Sequence, residues 1–167
     1  MSDALGKPLL QKSGIEETAW REIARELLEV FPSVSVFALS GPLGAGKTSF
    51  VRGAVAALGG EDSAVQSPTF VLERRYPVVH PAWREVSHWD WYRLSEEEVA
   101  KLPFWSSASS QAVCSFVEWP ERALFEWRAA PRPFVWLVFS EEGEGAARRS
   151  LSVYDSIPPH LLPADAV

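Results

Sequence analysis

The chain has one cysteine, Cys114, in 167 residues. A lone thiol cannot close an intrachain disulfide, which excludes the cross-linked scaffold of a small secreted domain and points to a reducing compartment, the cytoplasm. Basic residues are in deficit: 16 Lys and Arg stand against 22 Asp and Glu, a formal net charge of −6. Proteins that grip a polyphosphate backbone by general electrostatics concentrate Lys and Arg, so nucleic acid would be met here only through a partner. Long apolar runs are missing as well. Those present, such as residues 134–139, fall far short of the roughly 20 residues of a membrane span. The start, Met1-Ser2-Asp3-Ala4, has no basic segment leading into an apolar stretch, so neither signal peptide nor membrane anchor is expected. Asparagine is absent, as are internal repeats and low-complexity blocks. What remains, 47% hydrophobic and 23% charged residues, is the makeup of one ordinary globular domain. Eight tryptophans are more than usual, and because they fall within or beside apolar-periodic segments they are assigned to core packing with a few surface anchors.

Ser13-Gly14-Ile15-Glu16 reads as a capping box, and Trp20, Ile23, Ala24, Leu27, Leu28 and Phe31 then recur at helical spacing until Pro32. Residues 34–40 form a short β-branched and apolar run, a buried strand ending at a glycine cluster. Residues 47–58 favour helix, with Phe50, Val51, Ala54, Val55 and Leu58 on one face and Gly59-Gly60 as the stop. Residues 70–79 and 84–92 look extended around a turn at His80-Pro81-Ala82. Ser95 and Glu98 make a second capping box for a short helix that Pro103 limits, and residues 112–117 form another buried strand. Pro120 suits the first position of a helix over residues 121–128. Residues 134–139 and 150–154 close the domain as a strand pair around an acidic, glycine-bearing loop. The expected architecture is α/β: a single three-layer domain over residues 1–158 with a mixed sheet and antiparallel hairpins, followed by a tail over residues 159–167.

Gly41-Pro42-Leu43-Gly44-Ala45-Gly46-Lys47-Thr48 matches the phosphate-loop pattern G-x-x-x-x-G-K-[ST] at every fixed position, between an expected strand and an expected helix. The domain is thus read as P-loop NTPase-like. Glycines let backbone N–H groups converge on phosphates, and the helix N-terminus adds positive potential. Lys47, expected at a solvent-filled site, can reach the β- and γ-phosphates while the Thr48 hydroxyl binds Mg²⁺. Such a site needs a carboxylate at the C-terminal end of a neighbouring strand. Glu118, directly after residues 112–117, and Asp90, in His88-Trp89-Asp90-Trp91-Tyr92-Arg93, both qualify. Ser67-Pro68-Thr69-Phe70 lies where nucleotide switches place a hydroxyl. His80 and His160 have no metal-ligand spacing with Cys114, whereas His88 lies close to Asp90. Guanine-specific switch proteins use an Asn-Lys-x-Asp element, which a chain without asparagine cannot supply, so adenine is the expected base.

With this phosphate loop, then Ser67-Pro68-Thr69-Phe70, then His88 to Leu94, then Val117-Glu118-Trp119-Pro120-Glu121, the sequence closely resembles the TsaE family, bacterial ATPases of tRNA threonylcarbamoyladenosine synthesis. Glu16-Glu17-Thr18 resembles that family's opening segment. The resemblance implies ATP and Mg²⁺ as cofactors, TsaB and TsaD proteins as partners, and contact with tRNA only through that complex. On matching positions, Lys47 and Asp90 carry catalysis, and Thr48 and Glu118 bind magnesium. Gly41, Leu43, Gly44, Ala45, Gly46, Lys47, Thr48, Ser49, Thr18 and Thr69 contact nucleotide, and Trp119 packs beside it or against a partner. Residues 102–107 depart from the family pattern, which usually has a glycine-bearing stretch there. No arginine stands out as a finger on the γ-phosphate, a group that supplies roughly 10³–10⁵ in rate where used, so hydrolysis by the isolated chain is expected to be slow. The runner-up is a small-molecule or nucleotide kinase, which needs an acceptor pocket and usually an arginine-rich lid.

Overall fold

The structure, a computed structural model, describes residues 6–110, 112–145 and 148–163. Met1 to Ala4, read above for a leader, and residues 164–167 of the expected tail lie outside them. Twelve elements follow in order: β1 (Leu10–Ile15), α1 (Trp20–Val30), β2 (Val36–Ser40), α2 (Lys47–Ala57), β3 (Glu73–Pro77), β4 (Glu85–Asp90), α3 (Glu96–Ala100), α4 (Phe104–Ala108), β5 (Val113–Glu118), α5 (Leu124–Arg128), β6 (Val135–Glu142) and β7 (Arg148–Tyr154). The strands make one seven-stranded sheet in the order β1-β7-β6-β2-β5-β4-β3. β2 runs parallel to β5 and β6, and β4 parallel to β5, while β3–β4, β6–β7 and β1–β7 are antiparallel. Both the mixed sheet and the α/β class match the expectation from sequence.

Side-chain alternation splits the interior in two. Phe37 and Leu39 of β2, Cys114 and Phe116 of β5, and Leu137 and Phe139 of β6 face α1 and α2. Val36 and Ala38, Val117 and Trp136 point the other way, into a cluster with Trp89, Trp91, Phe104 and Trp127 beneath α3, α4 and α5. Every residue of β2 and β5 is buried, as expected for parallel strands covered on both faces. Among the described residues no helix is long and apolar enough to cross a membrane.

Three local expectations need correction, and one element goes beyond them. Ser13 does not cap a helix: it lies in β1, and α1 begins only after a 3₁₀ turn at Glu17–Ala19, with no side-chain cap. The cause is competition for the backbone, since residues 10–12 pair with β7 and the Gly14 N–H donates to Glu142 at 2.8 Å. Residues 70–72 are a turn rather than strand, with the N–H groups of Val71 and Leu72 both donating to the Pro68 carbonyl and Leu72 at φ +71°. Residues 104–108, beyond the proline expected to end the preceding helix, form α4, which sets Phe104 into the far cluster. The helix expected over residues 121–128 is a 3₁₀ turn, Pro120–Ala123, followed by α5. Past Pro158, Pro159–Leu161 form another 3₁₀ turn, and Leu161 packs against the far cluster.

Candidate functional site

Residues 41–46 join the C-terminal end of β2 to the N-terminus of α2. Two glycines there are demanded by both conformation and space. Gly41 has φ +145° and an added Cβ would lie 2.4 Å from the Phe139 carbonyl oxygen; Gly46 has φ +105° and its Cβ would lie 2.6 Å from the Trp20 ring. The first bond of α2 runs from the Phe50 N–H to the Gly46 carbonyl at 2.8 Å. The N–H groups of its first turn are therefore directed out of the helix end, into a cleft. Leu43, Gly44, Gly46, Lys47, Thr48 and Ser49 line that cleft from the loop side, faced by Ser67, Thr69, Asp90 and Glu118.

Lys47 departs from its expected solvent-filled setting. It is 4% exposed, its Nζ donates to the carbonyls of Gly41 (2.6 Å) and Pro42 (2.9 Å), and it sits 4.2 Å above the Trp119 ring. Burial lowers its pKa from the ordinary lysine value, while Glu118, Glu121 and Asp90 act in the opposite direction. The phosphate-loop pattern identifies the lysine but says nothing of the indole that covers it. Trp119 takes that position through a left-handed backbone conformation, φ +61° and ψ +46°, rare for an aromatic residue.

Asp90 and Glu118 end adjacent parallel strands and are register partners, so both carboxylates reach the same edge of the sheet. Their partners differ. Glu118, 4% exposed, accepts at Oε1 from Thr48 Oγ1 (2.7 Å) and lies 2.8 Å from His88 Nε2. Asp90 accepts from Thr69 Oγ1 at Oδ2 (2.6 Å) and from the Tyr92 N–H at Oδ1 (2.8 Å), and Thr69 is in turn 2.7 Å from Ser67 Oγ.

Not all sequence-derived candidates meet in the cleft. Thr18 lies in the adjoining groove with Ser49 and Arg52, and Glu17 lines the cleft instead. Ala45 is fully buried and braces the loop through its N–H to the Pro42 carbonyl (3.2 Å); Gly41 contributes through the carbonyl that holds Lys47. Sequence reasoning missed Tyr92 and Glu17 as lining residues, the donation from Arg149 Nε to the Gly44 carbonyl (3.0 Å), and the partner of His88, which is Glu118 rather than Asp90. Strand alternation carries a signal for the last: His88 and Asp90 share a face of β4, as Phe116 and Glu118 do on β5.

These residues suit a magnesium nucleotide. Thr48 and Glu118 bring oxygen donors into contact beside the loop, and magnesium typically takes one or two carboxylates and fills its shell with phosphate and water oxygens. Among the described residues no group of three or more His, Cys, Asp and Glu is placed to hold a metal alone, so a cation here would depend on those further oxygens.

Residues 15–149 match the family model described as TsaE, threonylcarbamoyl adenosine biosynthesis protein. The chain is 40% identical to the tRNA threonylcarbamoyladenosine biosynthesis protein TsaE of Streptomyces coelicolor over 106 residues, 60% of this chain and 67% of that one. It is 34% identical to the same-named protein of Rickettsia conorii over 107 residues, 64% of this chain and 57% of that one, and 36% identical to that of Synechocystis over 101 residues. The matched part thus spans between 57% and 67% of the length of the first two relatives. The solved structure of Bacillus subtilus YdiB shares the fold, with a TM-score of 0.61, 22% identity, and coverage of 91% of this chain and 90% of that one. The matched span contains the phosphate loop, both acidic strand ends and Arg149, and the chain belongs to the TsaE family of threonylcarbamoyl adenosine biosynthesis proteins.

Proposed function

We propose that this chain is the ATPase subunit of tRNA threonylcarbamoyladenosine modification, binding and hydrolysing ATP with Mg²⁺ to drive turnover of a complex of the TsaB and TsaD proteins. The observation that carries this reading is the direct contact of Thr48 with Glu118 at the mouth of a glycine loop whose helix end faces the same cleft. In it, the loop N–H groups and Lys47 hold the phosphates, with Lys47 exchanging loop carbonyls for phosphate oxygens as its donors' partners. Thr48 and Glu118 would hold the magnesium ion, which would supply neutralisation of the charge that develops on the phosphates. Asp90, fixed by Thr69 and the Tyr92 N–H, orients the attacking water and receives its proton. The acidic balance supports contact with tRNA through the partners, and the single unpaired thiol supports a cytoplasmic setting.

The test is ATP hydrolysis by the purified chain, alone and mixed with TsaB and TsaD from the same organism, with Lys47→Ala run in parallel and its folding checked by circular dichroism. Slow turnover alone, stimulation by the partners and a loss of roughly 10²–10³-fold in the variant are expected, the cost of removing one electrostatic stabiliser of developing charge. Unchanged turnover in a folded Lys47→Ala protein would remove the phosphate-loop argument. Nucleotide binding without any partner response would shift the reading to a kinase.

A further inference from the structure

We propose that His88 is a positioning residue that fixes the Glu118 carboxylate for magnesium, an assignment that rests on the reading of Glu118 given above. His88 is wholly buried in β4, and its Nε2 lies 2.8 Å from Glu118 Oε1. Against a charged carboxylate, which can only accept, the ring contributes an Nε2–H donor. Its Nδ1 is buried and has no hydrogen-bond partner among the described residues. Among the described residues the contact with Glu118 is therefore the ring's one hydrogen bond, beside the tilted ring of Tyr76 at 6.4 Å. Burying an imidazole with one nitrogen unsatisfied costs free energy that a phenylalanine or methionine would avoid. The ring is explained by what its other nitrogen holds.

Glu118 needs such a hold. Its side chain has three rotatable bonds, and its other donor to Oε1 is Thr48, whose hydroxyl is the group that magnesium would draw away. With both donors converging on Oε1, His88 keeps the carboxylate plane in place when Thr48 turns to the cation, and Oε2 stays free of either bond. Outer-shell partners of this kind typically set metal affinity or activity by roughly 10–100-fold.

The experiment titrates MgCl₂ against fluorescent MANT-ADP binding to the full chain, with EDTA controls, for wild type, His88→Met and His88→Gln. Methionine fills the volume without a donor; glutamine places its amide nitrogen as many bonds from Cα as Nε2. His88→Met should need roughly 10–100-fold more Mg²⁺ for half-maximal effect, with EDTA-state affinity within about twofold of wild type, whereas His88→Gln should recover most of the loss. ATP hydrolysis should fall in kcat at saturating nucleotide in the first variant and recover in the second. If His88→Met does not fold, His88→Asn, whose amide falls short of Glu118 by one bond, carries the same expectation. Wild-type Mg²⁺ dependence in the donor-lacking variant overturns the proposal, as does a glutamine variant equally impaired, since the ring would then act by packing alone. A wild-type chain that binds no magnesium nucleotide overturns the reading of the site and this proposal with it.

Discussion

Glu121 and Lys47 are charges held partly out of water and close enough to act on one another. Burial raises the Glu121 pKa from its ordinary value, outweighing the opposing pull of Lys47 and Arg122, and its Oε2 is buried without a partner. Above the ordinary glutamate pKa the unfolded chain releases this proton while the folded chain keeps it, so stability falls as pH rises through the window between the two values. The cost is complete once the pH exceeds the folded-state value. Glu121→Gln is therefore expected to raise the melting temperature at neutral pH and to confer less near pH 4. Paired thermal melts at the two pH values check this; an equal gain at both would mean that the charge is not the cause. At this scale the phosphate-loop residues were legible, because four fixed positions in a strand–helix context encode backbone geometry directly. Asp90 and Glu118 were legible only as alternatives, since what separates them is the donor each one meets, Thr69 or Thr48. The pairing of His88 with Glu118, 30 residues apart, crosses from one strand to the next: alternation gives the face of each residue but not which strands are neighbours.

Helices α1 and α2 touch backbone to backbone. A Cβ on Gly53, in the middle of α2, would lie 2.7 Å from both the Arg21 nitrogen and the Trp20 carbonyl carbon. Alanine is the better helix former by about 1 kcal/mol, but main-chain atoms of a packed helix cannot step aside as a side-chain tip can, and overpacking costs about 1–3 kcal/mol. Gly53→Ala should therefore give no gain and a net loss of up to about 2 kcal/mol in urea unfolding, against the propensity scale. A gain in stability would show that the two helices separate easily. Because Trp20 also lies against Gly46, this helix pair braces the phosphate loop from below. Element boundaries show why one pattern has two outcomes. Ser95 and Glu98 form their capping box, with bonds of 3.2 and 2.8 Å, where no strand competes for the chain. Ser13 and Glu16 carry the same spacing and form none, because the edge of β7 recruits that stretch into the sheet. Such a partner lies more than a hundred residues away, outside the reach of periodicity.

Across the whole molecule, the sheet sorts chemistry from bulk. The polar cleft opens where β2, β4 and β5 end, on the side of the sheet that α1 and α2 cover, and most of the tryptophans are gathered on the opposite face. The class and mixed sheet were legible from the order of elements; the strand order was not, because it depends on which edges meet. Cys114 sits at the middle of this arrangement, fully buried in β5 between β2 and β4, with burial pushing its thiol pKa up. A thiol reagent can reach it only when the sheet comes apart, so each labelled molecule records one opening of the whole domain. If magnesium ATP closes on the loop at the end of β2, free nucleotide at a hundred times its Kd should slow labelling about 100-fold, the same 2.7 kcal/mol that mass action assigns to the bound state. Labelling that ignores nucleotide would mean that the sheet opens without disturbing the loop. The lone sulfur thus makes the chain its own clock for how seldom the central strands part.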